Sequence, residues 1–330
     1  MFKFKQINLI NCIFYQLIFI QTLLFSFYTN AENNSKLNKI VIPLNDWASQ
    51  RVLSKSIGQL YENLGFDVSY QDIKVKNQWG ALKRGLIHMQ IEVWEPSMGE
   101  VFNEYVEKQY ILDMGSHKAK VREEWWYPQY VENLCPGLPH WQALNKCAHI
   151  FSQAGSQNKG VYYSGPWFYN DADIIRALNL NFVIKELPDD KALIAHLKNS
   201  AKMMNPILLL NWSPNWTDTR LKGKFIEFPG FSPECETVPE WGLNTKHVKD
   251  CGNKKNAWLK KAAWPGLATY NQCAFDLLKN INLNSKMISE ASALVVVDRL
   301  TEAQAAVAWL NMFQQQVNTW MQGVCSDSRK

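Results

Sequence analysis

Twice along this chain, short β-rich apolar runs alternate with stretches whose apolar residues recur at helical spacing. No other feature limits the fold as strongly, because strands separated by helices pair in parallel. The first unit opens with the run Lys39–Leu44. A helix carrying Val52, Leu53, Ile57, Leu60 and Leu64 follows, with Ser49 as its expected cap and Gly65 as its stop. Next come a strand over Asp67–Tyr70, a short helix over Ala81–Leu86 and a strand over His88–Val93. The pattern restarts with a strand at Val161–Tyr163, a helix from Asp171, a strand at Asn181–Lys185, an amphipathic stretch at Lys191–Met204 and a strand at Pro206–Leu210. From residue 258 the chain is expected to turn helical, with Asn271 as one cap and Thr301 with Gln304 as a capping box for a long final helix. A length of 330 residues suits two domains. No repeat or Gly/Ser linker separates the halves, so several chain crossings are expected to join them.

The first residues stand apart from this pattern. Lys3 and Lys5 precede a largely apolar stretch from Leu9 to Phe27, and Ala31 ends a small-residue site. This reads as a secretory signal cleaved after Ala31, not as a membrane anchor, because no stop-transfer charge cluster follows. No later segment is apolar for the roughly 20 residues a span needs. With Lys3 and Lys5 gone, the formal charge falls from +5 to +3, too small and too dispersed to argue for nucleic acid or an anionic surface. Cys12 leaves with the signal, so the seven cysteines become six. An even count in an exported chain points to disulfides. Local pairing is expected for Cys135 with Cys147 and Cys235 with Cys251, leaving Cys273 and Cys325. No C-x-x-C is present and the six histidines are scattered, so no metal site is expected.

Fourteen tryptophans are present, and four share one topological position. Trp47 follows the strand ending at Leu44, Trp94 ends the strand at Val93, Trp167 sits in the turn after Tyr163, and Trp212 follows Leu210. In open parallel sheets ligands bind beyond the carboxyl ends of the strands. Two facing units would therefore bring four indoles to one cleft. Indole faces attract cations, and quaternary ammonium groups, which cannot donate hydrogen bonds, are held by such aromatic cages. Trp94 is expected to be a cage wall and not a core residue, so that its truncation changes stability little. Asp46 could face a cation or cap the helix beside it. Glu92 and Glu95 flank Trp94 and read as solvent-facing or supporting charge. Trp125 and Trp126 precede Pro128 where the first unit crosses to the second; they close the cage or pack the crossing. Trp258, Trp264, Trp309 and Trp320 are expected in helices, as core. No nucleophile elbow, P-loop, dinucleotide fingerprint or zinc-protease motif is present. Tryptophans also stack on sugars, so a carbohydrate binder is one alternative to a methylated-amine binder, and an exported hydrolase is another.

The segments "NDWASQRV", "IEVWEPSMGE", "VYYSGPWFYND", "ILLLNWSPNW" and the "AVAWLN" ending together resemble the periplasmic substrate-binding proteins of glycine betaine/choline/proline-betaine ABC transporters. The resemblance covers most of the chain. It implies an α/β, two-lobed periplasmic binding protein of the Venus flytrap kind (type II), each lobe a mostly parallel sheet flanked by helices. The expected division is 1–31 signal, 32–120 and 258–330 first lobe, and 121–257 second lobe. It further implies a monomeric, non-enzymatic protein without cofactor that holds a small methylated amine such as glycine betaine, choline or trimethylamine N-oxide and serves a membrane permease. Carried over by residue, Trp47 and Trp94 match first-lobe cage tryptophans and Trp212 the second-lobe one. Either Trp125 or Trp126 falls near another aromatic position. "SGPWFYND" departs from the "EPG" turn of many relatives, so Trp167 is expected as an added wall. Ser97 is the candidate donor for a ligand carboxylate and Asp46 the candidate acceptor for choline. The two cysteine-bounded insertions are similar to those of a subset that includes trimethylamine N-oxide and betaine binders.

Overall fold

The computed structural model describes residues 38–167 and 169–325. The signal-like start, Cys12 and the final five residues lie outside them.

In the first unit, β1 (Lys39–Leu44) and β2 (Asp67–Asp72) pair in parallel from Lys39↔Asp67 to Leu44↔Asp72. Helix α1 (Ala48–Asn63) buries the expected stripe of Val52, Leu53, Ile57 and Leu60, and the chain leaves it through Gly65 at φ +88°. Ser49 is not its cap. Trp47 occupies that position with extended backbone, and Ser49 lies one residue inside the first turn. Helix α2 (Val75–Lys83) begins earlier than the expected 81–86 stretch, and Gly85 at φ +68° follows its end. β3 (Met89–Trp94) is buried throughout and lies beside β1, the His88 amide donating to the Val41 carbonyl at 2.9 Å. Helix α3 (Glu95–Glu107) follows β3 without a break. Pro96 sits in the first helical turn, where no N–H donor is needed.

In the second unit, β5 (Gly160–Ser164) pairs in parallel with β6 (Phe182–Glu186) and β7 (Leu208–Ser213), as strand–helix alternation requires. Helices α4 (Asp171–Ala177) and α5 (Asp190–Met203) connect them.

Two strands that the apolar pattern did not reveal join the units. β4 runs seventeen residues, Leu112–Pro128. Its first part pairs with β9 (Ala257–Ala263) as far as Val121↔Ala257, and from Arg122 onward it pairs with β7 and with β8 (Gly223–Phe225). All these pairings, and β3 with β9, are antiparallel. The sheet order is β3-β9-β4-β7-β5-β6. The expectation of helix from 258 is corrected here. Trp258 lies in β9 with its ring 5.4 Å from Phe102, and Trp264 follows the strand, stacked on His88. β9 accommodates Lys261 in the interior because its ammonium donates to the carbonyls of Lys279 and Ile281 at the end of helix α6 (Gln272–Asn280), where the helix dipole favours a cation.

The C-terminal region packs back on the first unit. Asn271 caps α6 by accepting from the Ala274 amide. Helix α7 (Ser285–Val296) packs on α1, and so does α8 (Glu302–Met312), which opens on the Thr301–Gln304 capping box. The expected long final helix is broken at Phe313, and α9 (Gln314–Met321) continues beyond it. Trp309 and Trp320 are core, as expected.

Disulfides join Cys135 to Cys147, Cys235 to Cys251 and Cys273 to Cys325. The first two close loops of 12 and 16 residues, each expected to contribute about 3 kcal/mol by restricting the unfolded chain. Alkylation of the folded protein without reductant should therefore leave all six sulfurs unmodified, and reduction should lower the melting temperature. Labelling of any pair in mass spectra would contradict this. Among the described residues no helix is long and apolar enough to cross a membrane.

Candidate functional site

Where the two lobes meet, Trp47, Trp94, Trp167 and Trp212 border one space, together with Ser97, Met98, Glu123 and Tyr169. Including the part open to solvent it measures about 280 Å³, at the small end for ligand pockets. Each wall is placed by a strand end. Trp47 begins α1 after β1, Trp94 ends β3 and begins α3, and Trp212 lies on β7 opposite Glu123 of β4. Trp167 follows β5 and meets Trp212 edge to face, with ring centres 5.6 Å apart. Trp47, Trp94 and Trp212 are nearly inaccessible, at 4%, 2% and 7% exposure, so the walls of the cleft are also part of the core. The expectation that Trp94 stands apart from the core is corrected accordingly.

Of the other candidates, Ser97 borders the space and Asp46 is absent from its lining. Asp46 instead accepts from the Trp167 indole N–H at 3.1 Å and pairs with Lys74. Trp125 and Trp126 are also absent from the lining. Trp125 stacks on Tyr162 at 3.9 Å, donates to Asp171 and packs edge-on against Phe182 and Phe228; it sits two residues, about 7 Å, farther along β4 than Glu123. Trp126 is 3% exposed and lies over Gly223, where a Cβ would come within 1.9 Å of its ring.

Glu123, Tyr169 and Met98 were not singled out from the sequence. A signal for Glu123 existed: His117, Ala119, Val121 and Glu123 are buried at a period of two, the mark of a strand face. The charged residues between them hid it.

Two buried carboxyls govern the electrostatics. Glu123 accepts from the Ser97 amide at 3.1 Å, the Ser97 hydroxyl at 3.1 Å and the Tyr169 hydroxyl at 2.8 Å. Burial raises it to about 7 against the pull of those donors. Glu92 does not border the space. One of its oxygens accepts from the indole N–H groups of Trp47 at 2.7 Å and Trp94 at 3.0 Å and from the Ser49 hydroxyl at 3.1 Å. Burial raises it, too, to about 7. No Lys or Arg is among the residues that line the cleft. Bonds across the cleft tie the lobes: Trp167 to Asp46, the Ala48 amide to Asp190 at 3.0 Å, and Ser97 to Glu123. The arrangement can enclose a small group with a cationic, methyl-covered end. Among the described residues no group of acids, histidines or cysteines could hold a metal ion.

Residues 38–312 match the model of the substrate-binding domain of ABC-type glycine betaine transport systems. The chain is 32% identical over 300 residues to a trimethylamine N-oxide-binding protein of Pelagibacter ubique (strain HTCC1062), an alignment spanning 88% of this chain and 92% of that protein. Among solved structures it resembles an ABC-transporter choline-binding protein in complex with choline, with TM-score 0.68 and 17% identity over 88% of this chain and 94% of that one. It also resembles lactococcal OpuAC in its closed-liganded conformation complexed with glycine betaine, with TM-score 0.63 and 17% identity over 86% of this chain and 100% of that one. At such identities the structural likeness establishes the two-lobed fold.

Proposed function

Because the chain belongs to the family of substrate-binding domains of ABC-type glycine betaine transport systems, we propose that it is an exported, monomeric, non-enzymatic capture protein for a small methylated amine of the trimethylamine N-oxide type. It delivers that ligand to the permease of an ABC importer from the periplasmic side. Family membership favours neither a carbohydrate binder nor a hydrolase. The proposed lobe division (32–120 with 258–330, and 121–257) is supported by the change of β4 partners between Val121 and Arg122.

One observation carries the choice of ligand: four indoles and a single carboxyl line the cleft, with no Lys or Arg. The methyl-covered ammonium end suits the indole faces. The other end must suit Glu123. A betaine carboxylate brings two oxygens that need donors and a charge that needs a cation. The donors at hand are the amide and hydroxyl of Ser97, the hydroxyl of Tyr169 and a protonated Glu123, already bonded to one another. An N-oxide presents one oxygen directly on nitrogen, and a protonated Glu123 can donate to it. The Pelagibacter relative, a trimethylamine N-oxide-binding protein, supports the same assignment.

The sign of the pH dependence follows. Glu123 donates only while protonated, and burial places its titration at about 7. Affinity for trimethylamine N-oxide should therefore fall on the order of tenfold between pH 6 and pH 8, whereas choline, which needs an acceptor, should gain. Glu123→Gln keeps a donor at all pH values and should flatten the profile for the N-oxide. Tryptophan-fluorescence titration with trimethylamine N-oxide, choline and glycine betaine at both pH values measures this. A protein that held glycine betaine more tightly than trimethylamine N-oxide would sink the assignment.

A further inference from the structure

Glu92 belongs to the cage without touching the cleft. It lies on β3 two residues before Trp94, fully buried, and is not among the residues that border the space. A single oxygen receives both indole N–H groups and the Ser49 hydroxyl, and the other oxygen has no hydrogen-bond partner among the described residues. No Lys, Arg or His pairs with it among those residues. A buried carboxylate without a cationic partner is costly, and its retention calls for a compensating interaction.

The surroundings hold this carboxyl firmly. Its amide donates to Gln90, whose own side-chain nitrogen donates to Asn45 and Gln78 in a fully buried amide network. An indole has one N–H, so bonding both N–H edges to one oxygen fixes how the rings of Trp47 and Trp94 stand. Negative charge on the N–H edge also polarises the ring through the hydrogen bond, and the electron-rich face is what attracts a cation.

We propose that Glu92 is the buried counter-charge of the cage: it holds Trp47 and Trp94 by their indole N–H groups and makes their faces selective for a positively charged methylated group over a neutral group of the same shape. This rests on the reading of the cleft as a methylated-amine site. It differs from the role of Glu123, which meets the polar end of the ligand.

The test uses two probes of like shape in two proteins with the same Glu123, so that any bond between Glu123 and the hydroxyl of the neutral probe cancels in the comparison. Tetramethylammonium is a permanent cation, and tert-butanol is its neutral near-isostere. Titrations at pH 8, above the value of about 7 to which burial raises Glu92, compare the wild type with Glu92→Gln. Glu92→Gln should reduce the preference for tetramethylammonium over tert-butanol about tenfold, the scale of one unit-charge interaction across a protein interior. Glu92→Met, apolar and of similar length, serves if the amide does not fold, since it removes a buried charge and adds none. A variant that weakens both probes equally, or neither, overturns the proposal, because a charge-blind support for the rings would leave the preference unchanged. If the wild type binds neither tetramethylammonium nor trimethylamine N-oxide, the methylated-amine reading itself fails, and this inference falls with it.

Discussion

Trp94→Ala should weaken ligand capture on the order of 30-fold and, independently, destabilise the ligand-free fold by about 3–5 kcal/mol. The first figure follows from the loss of one desolvated cation–π wall, worth roughly 2 kcal/mol. The second is the usual cost of truncating a buried tryptophan, and Trp94 is 2% exposed. The sequence alone suggested that these two effects exclude each other, a wall being separate from the core. The structure joins them, because the indole borders the cleft with one surface and is packed and bonded to Glu92 elsewhere. Trp94→Phe keeps a ring but not the N–H. It should lose less affinity and leave Glu92 with one donor fewer. Thermal melting without ligand and titration of the folded variant separate the two losses. Wild-type affinity in folded Trp94→Ala would remove this residue from the site.

Ligand-free protein should melt several degrees lower at pH 8 than at pH 6. Burial raises Glu92, Glu123, Glu124 and Asp190 to about 7 and Asp171 to about 6. A carboxyl whose folded-state value lies above its unfolded value of about 4 binds its proton more tightly in the fold. Its contribution to stability is complete below about 4 and is lost as pH rises through about 7. Carboxyls held low by ion pairs, such as Glu227 and Glu302, act below about 4, outside this window. Burial lowers His88 to about 4 and His117 to about 3, and these work in the opposite sense, but only below their unfolded value near 6.5. The carboxyls outnumber them and control the range above it. Each kcal/mol of change corresponds to about 1.5–2 °C in a chain of this length, and the raised carboxyls together contribute a few kcal/mol. Glu124→Gln, away from the cleft, should flatten the profile without altering the ligand walls. A melting temperature that rises steadily from pH 6 to pH 8 would falsify the burial argument.

What the sequence disclosed depended on whether a residue advertised its neighbours. The strands of both β-α-β units were legible because Ile40, Ile42, Ile91, Val93 and Leu208–Leu210 form short apolar runs, and parallel pairing needs apolar strands. Trp47, Trp94, Trp167 and Trp212 were legible as a group for the same reason: each stands where one of those runs ends. β4 and β9 were not legible. β4 alternates buried residues with Lys118, Lys120 and Arg122, and β9 carries Lys260 and Lys261 at its centre. Only tertiary structure explains why Lys261 can be interior, since its acceptors come from residues 279 and 281. Missing β4 meant missing Glu123, and it left Trp125 and Trp126 as cage candidates although both are buried apart from the residues that line the cleft. α3 was hidden by Pro96, which reads as a turn when the helix beginning around it is not yet known. Glu92 was visible beside Trp94, but the orientation of two indoles toward one carboxylate oxygen is not a property that spacing can express.

The partner change on β4 also bears on how the two sides of the cleft are coupled. Glu123 lies two residues beyond Val121, where β4 has just changed partners, and it accepts from Ser97 of α3 on one side and from Tyr169, beyond β5, on the other. One carboxyl beside the crossing therefore serves as a shared clasp, and a ligand that takes a bond from it competes with a donor from each side at once.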